Sequence, residues 1–425
     1  TGAVTKTPVA SIDLTDQIKR ILVAGTVTFP ADSSRVFADL CNLRYLHSGI
    51  STATSPTIDM TKVQKIGGLF HNDTILDTIN LSGRTFTTLT NFSEVGGWSY
   101  PDGLGLFDGC DALDYVNLSG CAFTSLLTME SMFEGTGVSK VDLSASTAPA
   151  LLSMKAMFKD CGNITSVGTQ AGNSVNLSQF AIGNNSSSSY VGVEDMSYMF
   201  AGSGLKNVED LVFGSTTGAY PSDVSYMFAG CKFEVVGTGG AGYDYVDLQT
   251  FNTKRVTTME GMFSGCRALT DATLASTDFA ALQKVEDLFR GCTNLQHFTM
   301  NKCSFGSIKE FAGMLTGCTS LTDATLTNNE FEALETTAGL FKDLPYLTTV
   351  DMRANTWTSL EAVAKTPVDP ETGIAGETLG TFTGCCRLAD VYLGGNDENN
   401  RGSYEELTSF ENMFFGLGTL EGVGL

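Results

Sequence analysis

The chain is poor in the residues that most enzyme chemistry needs. It has three histidines, His47, His71 and His297, and no Cys-x-x-Cys pair that would complete a zinc set with them. No Gly-x-Ser-x-Gly, Walker loop or His-Glu-x-x-His is present, so the common signatures of ester hydrolysis, nucleotide binding and zinc-dependent hydrolysis are missing. No apolar run reaches the roughly 20 residues of a membrane-spanning helix. Basic residues are few, 25 Lys plus Arg against 47 Asp plus Glu, for a net charge of −22. That balance argues against nucleic acid and anionic lipid as partners and suits a large, soluble, exposed surface. The start, Thr1-Gly2-Ala3-Val4, has no basic segment, apolar stretch or cleavage site, so a signal peptide has been removed or lies outside the sequence. The expectation is a chain with no catalytic site, no cofactor, no metal and no membrane insertion.

What is present is a phrase that returns along the whole chain, roughly Met-Phe-x-Gly-Cys-x-x-Leu. Its clearest copies are Met262-Phe263-Ser264-Gly265-Cys266, Leu288-Phe289-Arg290-Gly291-Cys292 and Met314-Leu315-Thr316-Gly317-Cys318. Following its anchor gives thirteen copies, at Phe37, Phe70, Phe107, Phe133, Phe158, Phe200, Phe228, Phe263, Phe289, Leu315, Phe341, Phe382 and Phe414. Phe263, Phe289, Leu315 and Phe341 are each 26 residues apart. A fixed period of this size is the signature of a solenoid, in which each coil contacts only its neighbours.

Between anchors runs a second pattern: Leu269, Ala272, Leu274, Thr277, Phe279, repeated as Leu295, Phe298, Met300, Cys303, Phe305, as Leu321, Ala324, Leu326, Asn329, Phe331, and as Leu347, Val350, Met352, Asn355, Trp357. This is the L-x-x-L-x-L-x-x-N/C-x-F frame of a leucine-rich repeat. Residues two apart, such as Ala272 and Leu274, share one face of a short strand, and coils stacked on one another place those strands in a parallel sheet. Around the anchor, Met259, Met262 and Phe263 are spaced three then four, one face of a helical turn, which predicts short helical or 3₁₀ turns on the opposite side. The fold class is therefore α/β: a leucine-rich-repeat solenoid of about thirteen coils. Residues 1–30 lack the full phrase and are expected to form an N-terminal cap. The solenoid takes residues 31–425, with insertions near 47–57, 91–103, 168–174, 181–190, 237–244, 364–378 and 394–404.

The frame combined with Val193-Glu194-Asp195-Met196-Ser197-Tyr198-Met199-Phe200 and Val256-Thr257-Thr258-Met259-Glu260-Gly261-Met262-Phe263 resembles BspA-type leucine-rich-repeat surface proteins, from about Phe37 to Leu425. That resemblance implies a secreted or cell-surface protein, often an adhesin, with no enzymatic activity in its repeats. The insertions here are longer and more varied than in the regular arrays of that family, and its ligands do not carry over.

Eleven cysteines would suggest disulfides in an exported chain, but seven of them (Cys110, Cys161, Cys231, Cys266, Cys292, Cys318, Cys385) sit three residues after the anchor. A cysteine held by the repeat frame serves as a small buried apolar group, and side chains pointing the same way on neighbouring coils bridge poorly. The vicinal pair Cys385-Cys386 is the exception to check. Asp271 and Asp323 recur at one frame position, which reads as a solvated strand edge and not as an acid/base pair. The acidic stretches Asp102–Asp111 and Asp397-Glu398-Asn399-Asn400 do not fit an EF-hand loop. The sequons Asn80-Leu81-Ser82 and Asn117-Leu118-Ser119 belong to the strand phrase.

Local function is expected in what departs from the repeat. The insertions carry Trp98, Tyr100, Tyr190, Tyr243 and Tyr404 among Gly and Ser, a composition shared with recognition loops, and these are the candidate binding residues. The leading expectation is a non-enzymatic extracellular or cell-surface binding and adhesion protein, contacting a protein or glycan on a host cell, matrix or neighbouring cell. The alternative is a self-assembling subunit of a surface layer, fibre or virion. The final copy stops at Leu425, so either further modules follow or the open strand supports self-association through the C-terminal coil.

Overall fold

The computed structural model describes residues 17–23, 25–48, 57–92, 105–168, 175–177, 181–182, 192–208, 210–213, 221–237, 244–248, 251, 253–311, 313–366, 375, 379–394, 413–414 and 422–424. The chain divides into two compact units, Thr1–Pro221 and Ser222–Leu425. Both are leucine-rich-repeat-like stacks of parallel coils.

In the first unit the strands Arg20–Val23, Tyr45–Ser48, Thr78–Asn80, Tyr115–Asn117, Lys140–Asp142 and Ser166–Gly168 lie side by side in sequence order, all parallel. In the second, Tyr245–Val246, Val235–Val236, Asp271–Ala275, His297–Asn301, Asp323–Thr327, Thr349–Asp351, Asp390–Tyr392 and Gly422–Gly424 do the same in that spatial order. Strict alternation explains the register. Ala272, Phe298, Ala324, Val350 and Val391 pair across the ladder and are all buried, so a slip of one residue would turn this row out to solvent. A second, shorter ladder follows on several of the described coils, such as Ser304–Phe305, Glu330–Phe331 and Thr356–Trp357.

The interior is a set of aromatic columns. Phe37, Phe70, Phe107, Phe133, Phe158 and Phe200 stack in succession with ring centroids 5.2–5.5 Å apart. Phe228, Phe263 and Phe289 form a like column in the second unit, as do Phe341, Phe382 and Phe414. Beneath the shorter ladder Phe279, Phe305, Phe331 and Trp357 make another, closing to 4.5 Å at its end. Each stacked pair adds about 0.5–1.5 kcal/mol beyond the area it buries.

The anchor side departs from the expected helical turns: among the described residues there is no helix. The reason lies in alternate hydrogen bonding. Met259, Gly261, Phe263 and Gly265 donate their N–H groups to the carbonyls of Lys284, Glu286, Leu288 and Arg290 on the next coil, while Met262, Ser264 and Cys266 donate three residues back within their own coil. The segment is thus a run of β-turns, with left-handed residues two before and two after the anchor: Gly261 (φ 57°) and Gly265 (φ 72°), Asp287 (φ 58°) and Gly291 (φ 70°). Left-handed residues four apart cannot belong to an α-helix. Tyr226, Ala156 and Asp160 hold the same conformation without glycine. Gly261 has an added constraint, because a Cβ there would sit 2.2 Å from the ring of Tyr226.

The cysteines complete this lattice. All eleven are free, nine of them buried. The thiols of Cys110, Cys161, Cys266, Cys292, Cys318 and Cys385 each point to the anchor carbonyl of the preceding coil, at 2.7–3.2 Å. At the turn after the strand, Cys121 and Cys303 bond the carbonyls of Leu81 and Leu274, and Asn329 and Asn355 bond those of Met300 and Leu326 in the same way. Their amide oxygens accept the N–H of Cys303 and Asn329, so these buried side chains have both ends satisfied. Burial pushes the thiols up, to about 12 in Cys161, Cys292 and Cys385 and to about 11 in Cys121 and Cys303, and a thiol so protonated is inert. A thiol reagent should therefore find only exposed Cys386 and half-buried Cys41 in the native protein, and all eleven after unfolding without reductant. Fewer than eleven in the unfolded chain would mean that disulfides exist.

Candidate functional site

With one face of the main sheet committed to the core, the other is left to solvent. In the second unit the outward rows are Asp271, His297, Asp323, Thr349 and Asp390, and beside them Thr273, Thr299, Thr325, Asp351 and Tyr392. A third, shorter row is Ala275, Asn301 and Thr327. Apart from Ala275 and Tyr392 these side chains are polar, and several are tied across strands. His297 Nδ1 lies 2.6 Å from the Asp323 carboxylate, and Asn301 Nδ2 donates to Thr327 Oγ1 at 2.8 Å. Asp271 and Asp323, expected at a solvated strand edge, occupy equivalent outward positions and each accept a hydrogen bond from the preceding threonine, Thr270 or Thr322. At the far end Arg353 grips Asp351 through Nε (2.9 Å) and Nη2 (2.6 Å) and lies 5.1 Å from the centroid of the Tyr392 ring. Burial pushes the Asp351 carboxyl up, but the hydrogen bonds from Arg353 outweigh it and hold the group below the ordinary carboxylate range.

In the first unit the corresponding register row is Tyr45, Thr78, Tyr115 and Lys140, and it ends on Ser166, which is fully buried. The asparagines of the two sequons are occupied there: Asn80 Oδ1 accepts the Ser82 N–H at 3.0 Å, and Asn117 Oδ1 accepts from Ser119 N at 2.9 Å and Ser119 Oγ at 2.7 Å. Each closes an Asx turn that ends its strand.

The loop aromatics singled out from the sequence, Trp98, Tyr100, Tyr190, Tyr243 and Tyr404, lie outside the described residues. The insertion at 364–378 is entered through a two-residue antiparallel rung, Ala364–Lys365 against Leu379–Gly380. Three exposed tyrosines escaped the sequence reading, Tyr45, Tyr346 and Tyr392. The signal was available in the frame: Tyr392 stands where other strands carry Thr273, Thr299 and Thr325, and Tyr346 where other coils carry Ala268, Asn294 and Ser320. The vicinal cysteines part company, Cys385 buried on the Phe341 carbonyl and Cys386 exposed near that of Pro345. Among the described residues no three His, Cys, Asp or Glu side chains converge on a point that could hold a metal ion. Nor is any helix among them long and apolar enough to cross a membrane.

Among solved structures, the chain is similar to a leucine-rich repeat protein from Bacteroides ovatus ATCC 8483, with 16% identity and a TM-score of 0.32 over 79% of this chain and 78% of that one. It is also similar to a leucine rich cell surface protein from Faecalibacterium prausnitzii A2-165, with 14% identity and a TM-score of 0.33 over 72% of this chain and 82% of that one. No curated protein matches it. A family profile matches at residues 102–236 and again at 222–350, so that more than half of the 425 residues are covered. The chain belongs to this family, DUF285, described as a Mycoplasma protein of unknown function.

Proposed function

We propose that the protein is a non-enzymatic, extracellular or cell-surface binding and adhesion protein that holds a protein or glycan partner on the solvent face of its repeat sheet and on the inserted loops. The observation that carries this reading is the outward face of the second unit. Its rows of Thr, Asp, Asn and His side chains sit on strands locked by a continuous parallel ladder. Side chains held this way lose little freedom on binding, the condition under which a shallow surface binds well. Placement at the cell surface follows the resemblance of the repeat phrase to BspA-type proteins. The aromatic loops carrying Trp98, Tyr100, Tyr190, Tyr243 and Tyr404 would supply contacts beyond the sheet.

The test is a binding screen of the labelled chain against matrix proteins, host cells and a glycan panel, repeated with Thr273→Lys and Thr325→Lys together. These positions are outward-facing and separated by one strand, so the folded state should be untouched. Binding to whichever ligand scores should fall by about tenfold or more if the face is central to recognition. Undiminished binding would remove the sheet face from the proposal, and filaments or sheets by negative stain would point to an assembly subunit instead.

A further inference from the structure

The last described coils of the second unit carry a feature that neither the core nor the ladder explains. Tyr346 is 48% exposed and Tyr392 is 37% exposed, among only six large apolar or aromatic side chains so exposed in the described residues. They lie at opposite ends of one strand pair, Thr349–Asp351 and Asp390–Tyr392. Each is matched with an arginine from the other coil: Arg387 lies 4.5 Å from the centroid of the Tyr346 ring, and Arg353 lies 5.1 Å from that of Tyr392. A guanidinium over one face holds a ring by electrostatic attraction, and both rings keep a large exposed surface beside it. The arrangement is reciprocal, and it recurs at neither frame position in the regular coils, where Ala268, Asn294 and Ser320, or Thr273, Thr299 and Thr325, stand instead.

Resting on the binding reading above, we propose that these two ring–guanidinium pairs are the platforms of a site for an uncharged, extended glycan chain. Arg387 and Tyr392 are five residues apart, which places their Cα atoms at most about 17 Å from each other along the strand. Between them lie the Thr349 hydroxyl and exposed Asp390, and beside Tyr392 lies the Asp351 carboxylate gripped by Arg353. Aromatic faces pack on the C–H faces of pyranose rings, and carboxylates, hydroxyls and guanidinium groups bond sugar hydroxyls, so the chemistry alternates as a glycan does. Protein interfaces tend to have an apolar centre ringed by polar groups. Here the order is inverted, with polar groups at the centre and rings at the ends. Charge decides the class of glycan: Asp271, Asp323 and Asp390 share the neighbouring outward row on a chain of net charge −22, which disfavours uronic, sialic and sulfated chains.

The experiment is titration calorimetry of the full chain with short oligosaccharides of neutral β-glucan, α-mannan and β-galactan, with a uronic-acid oligomer alongside. Tyr346→Ala and Tyr392→Ala are compared with Leu127→Ala, an exposed position outside the main sheet, and with the Thr273→Lys/Thr325→Lys variant. At least one neutral oligosaccharide should bind, with little dependence on salt, and each of Tyr346→Ala and Tyr392→Ala should weaken it by about tenfold while Leu127→Ala leaves it unchanged. Both tyrosines are exposed, so circular dichroism should show these variants folded as the parent is. Binding of the uronic-acid oligomer alone, no binding of any neutral oligosaccharide, or binding indifferent to both tyrosines would overturn the proposal. If no neutral oligosaccharide binds and a protein ligand is found that the Thr273→Lys/Thr325→Lys variant loses and both tyrosine variants keep, the glycan site falls and the broader binding reading stands.

Discussion

Replacing Phe289 with Ala is expected to destabilise the second unit by about 3–5 kcal/mol. Phe289 is fully buried, stacked at 5.5 Å on Phe263 and meeting the edge of Phe298 at 5.7 Å. Its neighbour on the other side is Leu315, the one anchor that is not aromatic. The truncation leaves a cavity that the backbone cannot close, because the Phe289 N–H and carbonyl are held by Met314 and by the Cys318 thiol. Since each coil contacts only its neighbours, the damage should be partly local, and hydrogen exchange should show protection lost first over residues 270–330. Phe289→Leu should cost much less, because a leucine already serves as anchor one coil on. Unchanged protection in Phe289→Ala would show that the anchor column does not carry the core.

The second large effect is one of pH and centres on Asp73. This residue holds the frame position three after the anchor Phe70, where other coils place a cysteine. It is completely buried, with Oδ1 accepting the Leu40 N–H at 2.7 Å and Oδ2 without a hydrogen-bond partner among the described residues. Burial pushes its carboxyl up to about 8; the Leu40 hydrogen bond lowers it and the nearby Asp39 raises it further. In the unfolded chain it returns to about 3.9. Between these values the folded protein holds a proton that the unfolded chain has lost, so stability falls as pH rises through the window. Below about 4 the group is neutral in both states and its contribution is fully present; above about 8 it is lost. The limiting slope is about 1.4 kcal/mol per pH unit. Asp73→Asn keeps the acceptor for Leu40 and cannot ionise. The variant should therefore gain stability relative to the parent as pH rises from 5 to 8. Denaturation midpoints of the two proteins that shift in parallel across that range would show that Asp73 is already ionised in the folded state.

Much of the architecture could be read from residue spacing alone. The anchor phenylalanines stack because a 26-residue period returns the same side chain to the same place on every coil, and Phe263 and Phe289 could hardly do otherwise. The same logic buried Cys266, Cys292 and Cys318, and gave Asn329 and Asn355 their bonds to the coil before. The anchor-side turns were misjudged because Met259, Met262 and Phe263 share a face in a helix and also in successive β-turns. Gly261 and Gly265, four apart, were the discriminating signal, and periodicity of apolar residues does not weigh them.

The sequence by itself determined the repeat, its register and which side chains are inside, because a solenoid's contacts are set by a period that the order of residues displays directly. Tertiary structure alone decided which partners meet across coils of unequal length. Tyr346 meets Arg387, and Arg353 meets Tyr392, over gaps lengthened by the insertion at 364–378, where no fixed period relates one residue to the other. It also decided that Asp73, set in a cysteine's place, has one oxygen bonded and one without a hydrogen-bond partner among the described residues, since the polarity of a buried site depends on what neighbouring coils bring to it.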